Sequence, residues 1–335
     1  MENMTTQRPK TCPPLLPTLF LGAVLFLPGT VQAGTGLAFV SNEKSDTLSV
    51  IDPKKQEVVR EIETSGRPRA MRFSTAGDQL LVACGDDDVI DVIDLKTLEV
   101  VDQIPTGPSP EAFAFSADGK SIFVSNEEDS MLEVIDIEEK IVVHDIPTGA
   151  EPEGVIVSED GKTVYVTSEV ADMVHVIDPV GGFVTKNIIV GTRPRRFALT
   201  PDGKELWVTA ELSGEVYVID RATNETKEVI TFLPPGMRPE QVTPVDLSIS
   251  QDGKTAFVTL GRANHVAFVD VASRKIEDYV LVGRRAWGLD VTSDETTLYV
   301  TNGLSDDVTV VDIKGRKPLK SIPVGRVPYT ILIDD

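Results

Sequence analysis

Seven positions at intervals of 42 residues, with one interval of 50, carry Arg69, Glu111, Glu153, Arg195, Val245, Trp287 and Tyr329. Guanidinium groups offer forked donors to anions, and large aromatic rings offer flat apolar contact, so this series points to recognition chemistry. The surrounding segments strengthen that reading. Residues 66–71, 107–112, 149–154, 191–196, 236–246, 283–288 and 325–330 make up 47 of the 302 residues after position 33, yet hold nine of the 15 arginines there, including Arg67, Arg193 and Arg285. That is several times the share an even spread would give. Glu43, Glu127, Glu169 and Glu211 recur at the same interval and bring carboxylates to the same region. Two readings follow. One is a site for an anionic ligand or a partner protein, formed by Arg67, Arg69, Glu111, Glu153, Arg193, Arg195, Arg285, Trp287 and Tyr329. The other is a self-neutralising collar of exposed ion pairs, which would contribute little to folding.

Other chemistries have thinner support. Glu111, Glu153 and Asp246 could hold a divalent metal for hydrolysis, but no water-activating group accompanies them, and arginine partners explain them better. His144, His175 and His265 occupy different repeat offsets and are not expected to converge on a metal. Cys84, the lone cysteine after Cys12, reads as a small buried apolar residue. No Cys-x-x-Cys-His motif is present for covalent haem attachment. The expectation is therefore no catalytic residue, no metal and no cofactor. Asp52, Asp94, Asp136, Asp178, Asp220, Asp270 and Asp312 form a further series, each at the end of an alternating apolar run where Asp bonds local turn amides.

The elements that position these residues are set by the repeat. Phe39-Val40-Ser41-Asn42, Leu81-Val82-Ala83-Cys84, Phe123-Val124-Ser125-Asn126, Tyr165-Val166-Thr167-Ser168, Trp207-Val208-Thr209-Ala210, Phe257-Val258-Thr259-Leu260 and Tyr299-Val300-Thr301-Asn302 share the 42-residue interval. Each repeat divides into four short strands, for example 112–116, 121–125, 132–135 and 141–146, separated by turns such as Ser116-Ala117-Asp118-Gly119-Lys120. Residues 74–78 and 292–296 lack the Asp-Gly pair but should still turn. Four antiparallel strands per repeat, with no helical periodicity, predict an all-β, seven-bladed β-propeller. The first repeat starts at its second strand and the last stops after its first, 329–333, so the C-terminal strand should complete the N-terminal blade. The arginine-rich links then lie on one face, at the mouth of the central channel, with the inner strands starting at the series Arg69 to Tyr329. An eight-residue insertion around Phe232-Leu233-Pro234-Pro235-Gly236-Met237 falls on that face too.

The chain carries a formal charge of -21, which argues against nucleic-acid or anionic-membrane binding. Arg8 and Lys10 precede an apolar stretch, 15–27, and then Val31-Gln32-Ala33. This pattern predicts a signal peptide over 1–33, a propeller over 34–335, export to the periplasm and no membrane insertion after cleavage.

Tyr299-Val300-Thr301-Asn302 is the tetrad that names the YVTN β-propeller repeat family, which the chain resembles over residues 36–335. Arg238-Pro239-Glu240-Gln241-Val242-Thr243-Pro244, Asp252-Gly253-Lys254-Thr255-Ala256-Phe257-Val258 and Asp278-Tyr279-Val280-Leu281-Val282-Gly283 resemble exported propellers associated with PQQ-dependent alcohol catabolism. The resemblance implies a periplasmic, non-catalytic binding or scaffold protein accessory to quinoprotein-dependent oxidation. Its implied partners are a quinoprotein dehydrogenase, a cytochrome or a transporter component. PQQ dehydrogenases themselves dock blades through tryptophans and carry a vicinal cysteine pair, whereas this chain has two tryptophans and no such pair. A metal-dependent, lactonase-like hydrolase at the channel mouth and a surface interaction module remain alternatives.

Overall fold

The computed structural model describes Met1 and residues 34–335; apart from Met1, the expected leader falls outside the described residues. The repeat folds into seven four-stranded antiparallel sheets. The second strand of each blade is buried along nearly its whole length, as in Leu37–Asn42, Ser121–Asn126 and Thr297–Asn302. Such strands are covered on both faces by neighbouring blades, which is why the tetrads read as continuous apolar runs. Outermost strands such as Glu57–Glu63 and Ile141–Pro147 are mostly exposed, with one buried residue each, Ile62 and Ile146.

Apolar clusters lie between blades and join them. Leu81, Ala83, Ile90 and Val92 of one blade pack with Phe113, Ile122, Val124 and Ile135 of the next. The largest such cluster takes in the insertion: Phe232 and Val242 are buried beside Trp207 and Leu260, and Met237 packs against them. The insertion is thus partly core, and the inner strand that follows is short, Leu247–Ile249.

The inner strands run in ring order as Pro68–Phe73, Pro110–Phe115, Pro152–Val157, Pro194–Leu199, Leu247–Ile249, Ala286–Val291 and Pro328–Asp334. The last lies against both Ala286–Val291 and Pro68–Phe73, which closes the circle. It also pairs with Leu37–Asn42, Phe39 opposite Leu332, so the C-terminal strand completes the N-terminal blade as expected. We number that blade 1 and count around the ring to blade 7, which contains Ala286–Val291. The turns lacking Asp-Gly still form, with Gly77 N–H donating to the Ser74 carbonyl and Glu295 N–H to the Thr292 carbonyl.

The recurring aspartates act within their turns. Asp94 Oδ1 accepts from the N–H groups of Lys96 and Thr97, and Asp178, Asp220 and Asp312 accept from theirs in the same way.

Candidate functional site at the channel mouth

Two local devices hold the ring of recurring residues in place. The first is the hydroxyl of the tetrad. Ser41, Ser125, Thr167, Thr209, Thr259 and Thr301 donate to the backbone carbonyls of Arg69, Glu153, Arg195, Val245, Trp287 and Tyr329 in the next blade, at 2.7–2.9 Å. Ala83 is the exception, so the Glu111 carbonyl lacks this tie. The second device fixes the residue two positions earlier. Arg67, Arg193 and Arg285 have φ of 57°, 61° and 62°. Left-handed backbone costs a non-glycine residue roughly 1–2 kcal/mol, and here a side-chain acceptor offsets it. The N–H groups of these arginines donate to Asp46, Asp172 and Asn264 at 2.9, 3.0 and 2.8 Å.

The nine residues picked out by spacing come together in one network. Arg69, the second residue of its strand rather than the first, donates to the Tyr329 hydroxyl at 2.8 Å, and its Nη2 lies 2.5 Å from Glu111 Oε2. Arg67 bridges Glu111 and Glu127. Tyr329 Oη donates to Glu153 Oε1 at 2.7 Å, and Arg196 reaches both. Arg195 pairs with Glu169 and lies 3.4 Å from Glu211, while Arg193 lies 2.7 Å from Glu169 and Arg285 2.7 Å from Glu211. The guanidinium carbons of Arg195 and Arg285 sit 4.9 and 4.5 Å from the Trp287 ring centroid.

Burial overturns the expectation of exposed ion pairs. The side chains of Arg69 and Arg195 are only 11% and 4% exposed, and that of Glu111 is fully covered. The cause is ring geometry: six inner strands bring their second residues, and blade 6 brings Val245 just ahead of its short strand, to one axis, where the side chains cover one another. Tyr329 is likewise buried, so of the two aromatics only Trp287 keeps a partly exposed surface. The indole N–H of Trp287 is itself buried without an acceptor.

Burial also sets protonation. It pushes Glu111 well above the usual carboxylate range, with Glu153 adding to the effect against the pull of Arg69 and Arg67. Burial acts on Glu153 too, but Arg195, Arg196 and Arg69 outweigh it and hold that group below its ordinary value. The Tyr329 phenol is pushed up to about 12, chiefly by burial, and so remains a donor. Deeper in the channel, Asp246 and Arg196 line a small cavity of about 80 Å³. Asp246 therefore lies below Glu111 and Glu153 rather than beside them at the mouth.

The network is uneven around the ring. The position of Glu43 recurs as Gly85, Glu127, Glu169, Glu211, Gly261 and Gly303, so two consecutive blades, 6 and 7, lack the carboxylate. There a pocket of about 580 Å³ opens, lined by Trp287, Leu304, Val327 and the three arginines Arg262, Arg284 and Arg285. Glu43 is the one carboxylate on its wall. Among the described residues, neither Arg262 nor Arg284 has a carboxylate within 4.0 Å. Burial lowers the pKa of Arg285 against the opposing pull of its partner Glu211, and the neighbouring charges of Arg195 and Arg262 add smaller downward shifts. Arg262 escaped the sequence reading because it stands in a loop between strands rather than in the arginine-rich links. The signal that could have found the pocket was the missing glutamate.

Elsewhere the candidate reactive groups are engaged within blades. His175 is buried between Ser168 and Asn187, at 2.9 and 2.7 Å, and also accepts from the Gly149 N–H. Burial and the charge of Asp91 push the Cys84 thiol far above its ordinary value.

Comparison with known proteins agrees with this architecture. The choice-of-anchor I domain model matches residues 128–315, more than half of the chain. The chain belongs to the choice-of-anchor I domain family. The YNCE-like beta-propeller model matches residues 70–162 of this family member, in keeping with its seven blades. No curated protein matches it. Among solved structures, it resembles Kuenenia stuttgartiensis hydrazine synthase at 22% identity and a TM-score of 0.72, covering 82% of this chain and 91% of that one. A functionally unknown protein from Desulfotomaculum acetoxidans DSM 771 aligns at 15% identity and a TM-score of 0.75, over 89% and 98% of the two chains. Dihydro-heme d1 dehydrogenase NirN, in complex with DHE, aligns at 15% identity and a TM-score of 0.68, over 89% and 75%. At these identities the likeness is one of fold.

Proposed function

We propose that the chain is an exported, non-catalytic binding propeller, accessory to quinoprotein-dependent alcohol oxidation, which takes a small anionic ligand at the channel mouth. The observation that carries this reading is the local reversal of charge: a chain of net charge -21 presents Arg262 and Arg284, without carboxylate partners, on a pocket next to Trp287. Against catalysis stands the engagement of the reactive groups. Glu111 and Glu153 already hold guanidinium partners, and a divalent cation would have to displace them. The accessory role rests on the resemblance of residues 238–244, 252–258 and 278–283 to exported propellers of PQQ-dependent catabolism, and the periplasmic location on the leader pattern. A quinoprotein dehydrogenase, a cytochrome or a transporter component is the expected neighbour.

The test is growth on an alcohol in the source organism with the gene deleted. The wild-type chain should restore growth, a chain carrying Arg262→Glu and Arg284→Glu should not, and one carrying Lys120→Ala, Lys162→Ala and Lys204→Ala on the opposite face should. Dye reduction with an alcohol by the purified protein, after addition of PQQ and calcium, would overturn the non-catalytic reading. Equal growth from both variants would overturn the site.

A further inference from the structure

We propose, resting on the reading of the mouth as an anion site, that the pocket between blades 6, 7 and 1 selects aromatic carboxylates. Three features of the pocket point to that class. Its cationic side is guanidinium only, Arg262, Arg284 and Arg285, and forked planar donors match carboxylates. Its apolar side is Trp287 with Leu304 and Val327. Leu304 is 61% exposed, an apolar side chain left open beside the arginines. An inorganic anion would satisfy the arginines and leave this surface wet, whereas an aromatic body covers it. The volume, about 580 Å³, lies in the range of small-molecule sites and admits one or two fused rings with their carboxylates.

The repeat itself supplies an internal control. Gly303 stands where blades 1, 3, 4 and 5 carry Glu43, Glu127, Glu169 and Glu211. A Cβ at Gly303 would meet nothing nearer than 3.7 Å, so a side chain fits there without backbone change. Gly261, by contrast, is hemmed in by Thr243 at 2.2 Å from a would-be Cβ and has φ of 31°. Glycine at 261 is a packing requirement. Glycine at 303 is not, and its effect is to leave the pocket open and Arg262 and Arg284 without a carboxylate partner.

The experiment compares two probes of matched charge, benzene-1,2,4-tricarboxylate and propane-1,2,3-tricarboxylate, by titration calorimetry and tryptophan fluorescence on the mature protein. Trp207 is fully buried, so Trp287 is the reporter at the mouth. The aromatic probe should bind at one site, quench fluorescence, and bind about tenfold or more tightly than the aliphatic one. Gly303→Glu should abolish binding, and Arg262→Ala with Arg284→Ala should weaken it by at least about tenfold, with melting temperatures unchanged. Trp287→Phe should remove the quench while calorimetry still detects binding. Equal affinity for the two probes would overturn aromatic selectivity and leave the anion site standing. Binding of neither probe would also overturn the inference, while the growth test above judges the accessory role separately. Binding that survives Gly303→Glu would mean that the probes sit elsewhere.

Discussion

Tyr329, on the strand that closes the ring, donates its hydroxyl proton to Glu153, three blades away across the channel, at 2.7 Å. Covalent order places these residues far apart, so the bond ties the last strand of the chain to the far wall of the mouth. Arg69 and Arg196 donate to the same hydroxyl, which makes Tyr329 the centre of the plug. Tyr329→Phe should remove the donor to a buried carboxylate and cost about 1–3 kcal/mol. Chemical denaturation measures it, and a midpoint equal to that of the parent would mean that the plug does not depend on this hydroxyl.

The arginines divide into buried and open sets, and the two should respond differently to truncation. Arg195→Ala removes the buried guanidinium shared by Glu169 and Glu211, leaving them only Arg193 and Arg285, and should cost about 1–3 kcal/mol. Arg284→Ala removes an exposed side chain with no carboxylate partner and should change stability by about 0.5 kcal/mol or less. Thermal melts of the two variants side by side decide the matter. Equal losses would mean that the buried pairs are worth no more than surface ones.

Asp290 gives the fold a pH dependence of its own. It lies on the inner strand of blade 7 and accepts from the Ile333 N–H of the closing strand at 2.8 Å. Burial raises its pKa to about 6, the backbone donors at Ile333 and Val291 oppose the shift, and the charges of Asp246 and Asp335 add to it. A carboxylate raised above its ordinary 3.8 binds its proton more tightly when folded. Its contribution is therefore largest at low pH and is lost as pH rises through about 6. Asp290→Asn should narrow the stability difference between pH 7.5 and pH 4.5 by on the order of 1–2 kcal/mol relative to the parent. Parallel pH profiles for the two proteins would show that Asp290 does not titrate in this range.

The fold was legible because its cause is local and repeated. An alternating run that recurs at 42 residues, with one interval of 50, and Asp-Gly turns in four of the repeats leave few alternatives to a ring of blades. The role of the tetrad hydroxyls was not legible, since Ser125 or Thr301 reads as an ordinary strand residue until the next blade's carbonyl is seen 2.7 or 2.9 Å away. The nine mouth residues followed from spacing alone. Their burial did not, because exposure depends on how closely seven side chains approach a common axis, which no single repeat records. The pocket was hidden for a related reason: it is made by glutamates that are absent.

The closing strand itself should be the least dispensable element. A chain ending after Val324 keeps the whole of blade 7 through Lys317–Pro323 but loses Pro328–Asp334, and with it the pairing to Leu37–Asn42, the Tyr329 plug and the acceptor of the Thr301 hydroxyl. Blade 1 would then expose an unpaired edge along a strand that is buried in the parent, a template for association between chains. The expected outcome is a sharp fall in soluble yield and a concentration-dependent increase in size by light scattering. Supplying residues 325–335 as a separate peptide should restore part of the soluble fraction, whereas the same peptide with Tyr329→Phe should restore less. A truncated chain that stays monomeric and melts like the parent would show that the ring does not depend on this strand.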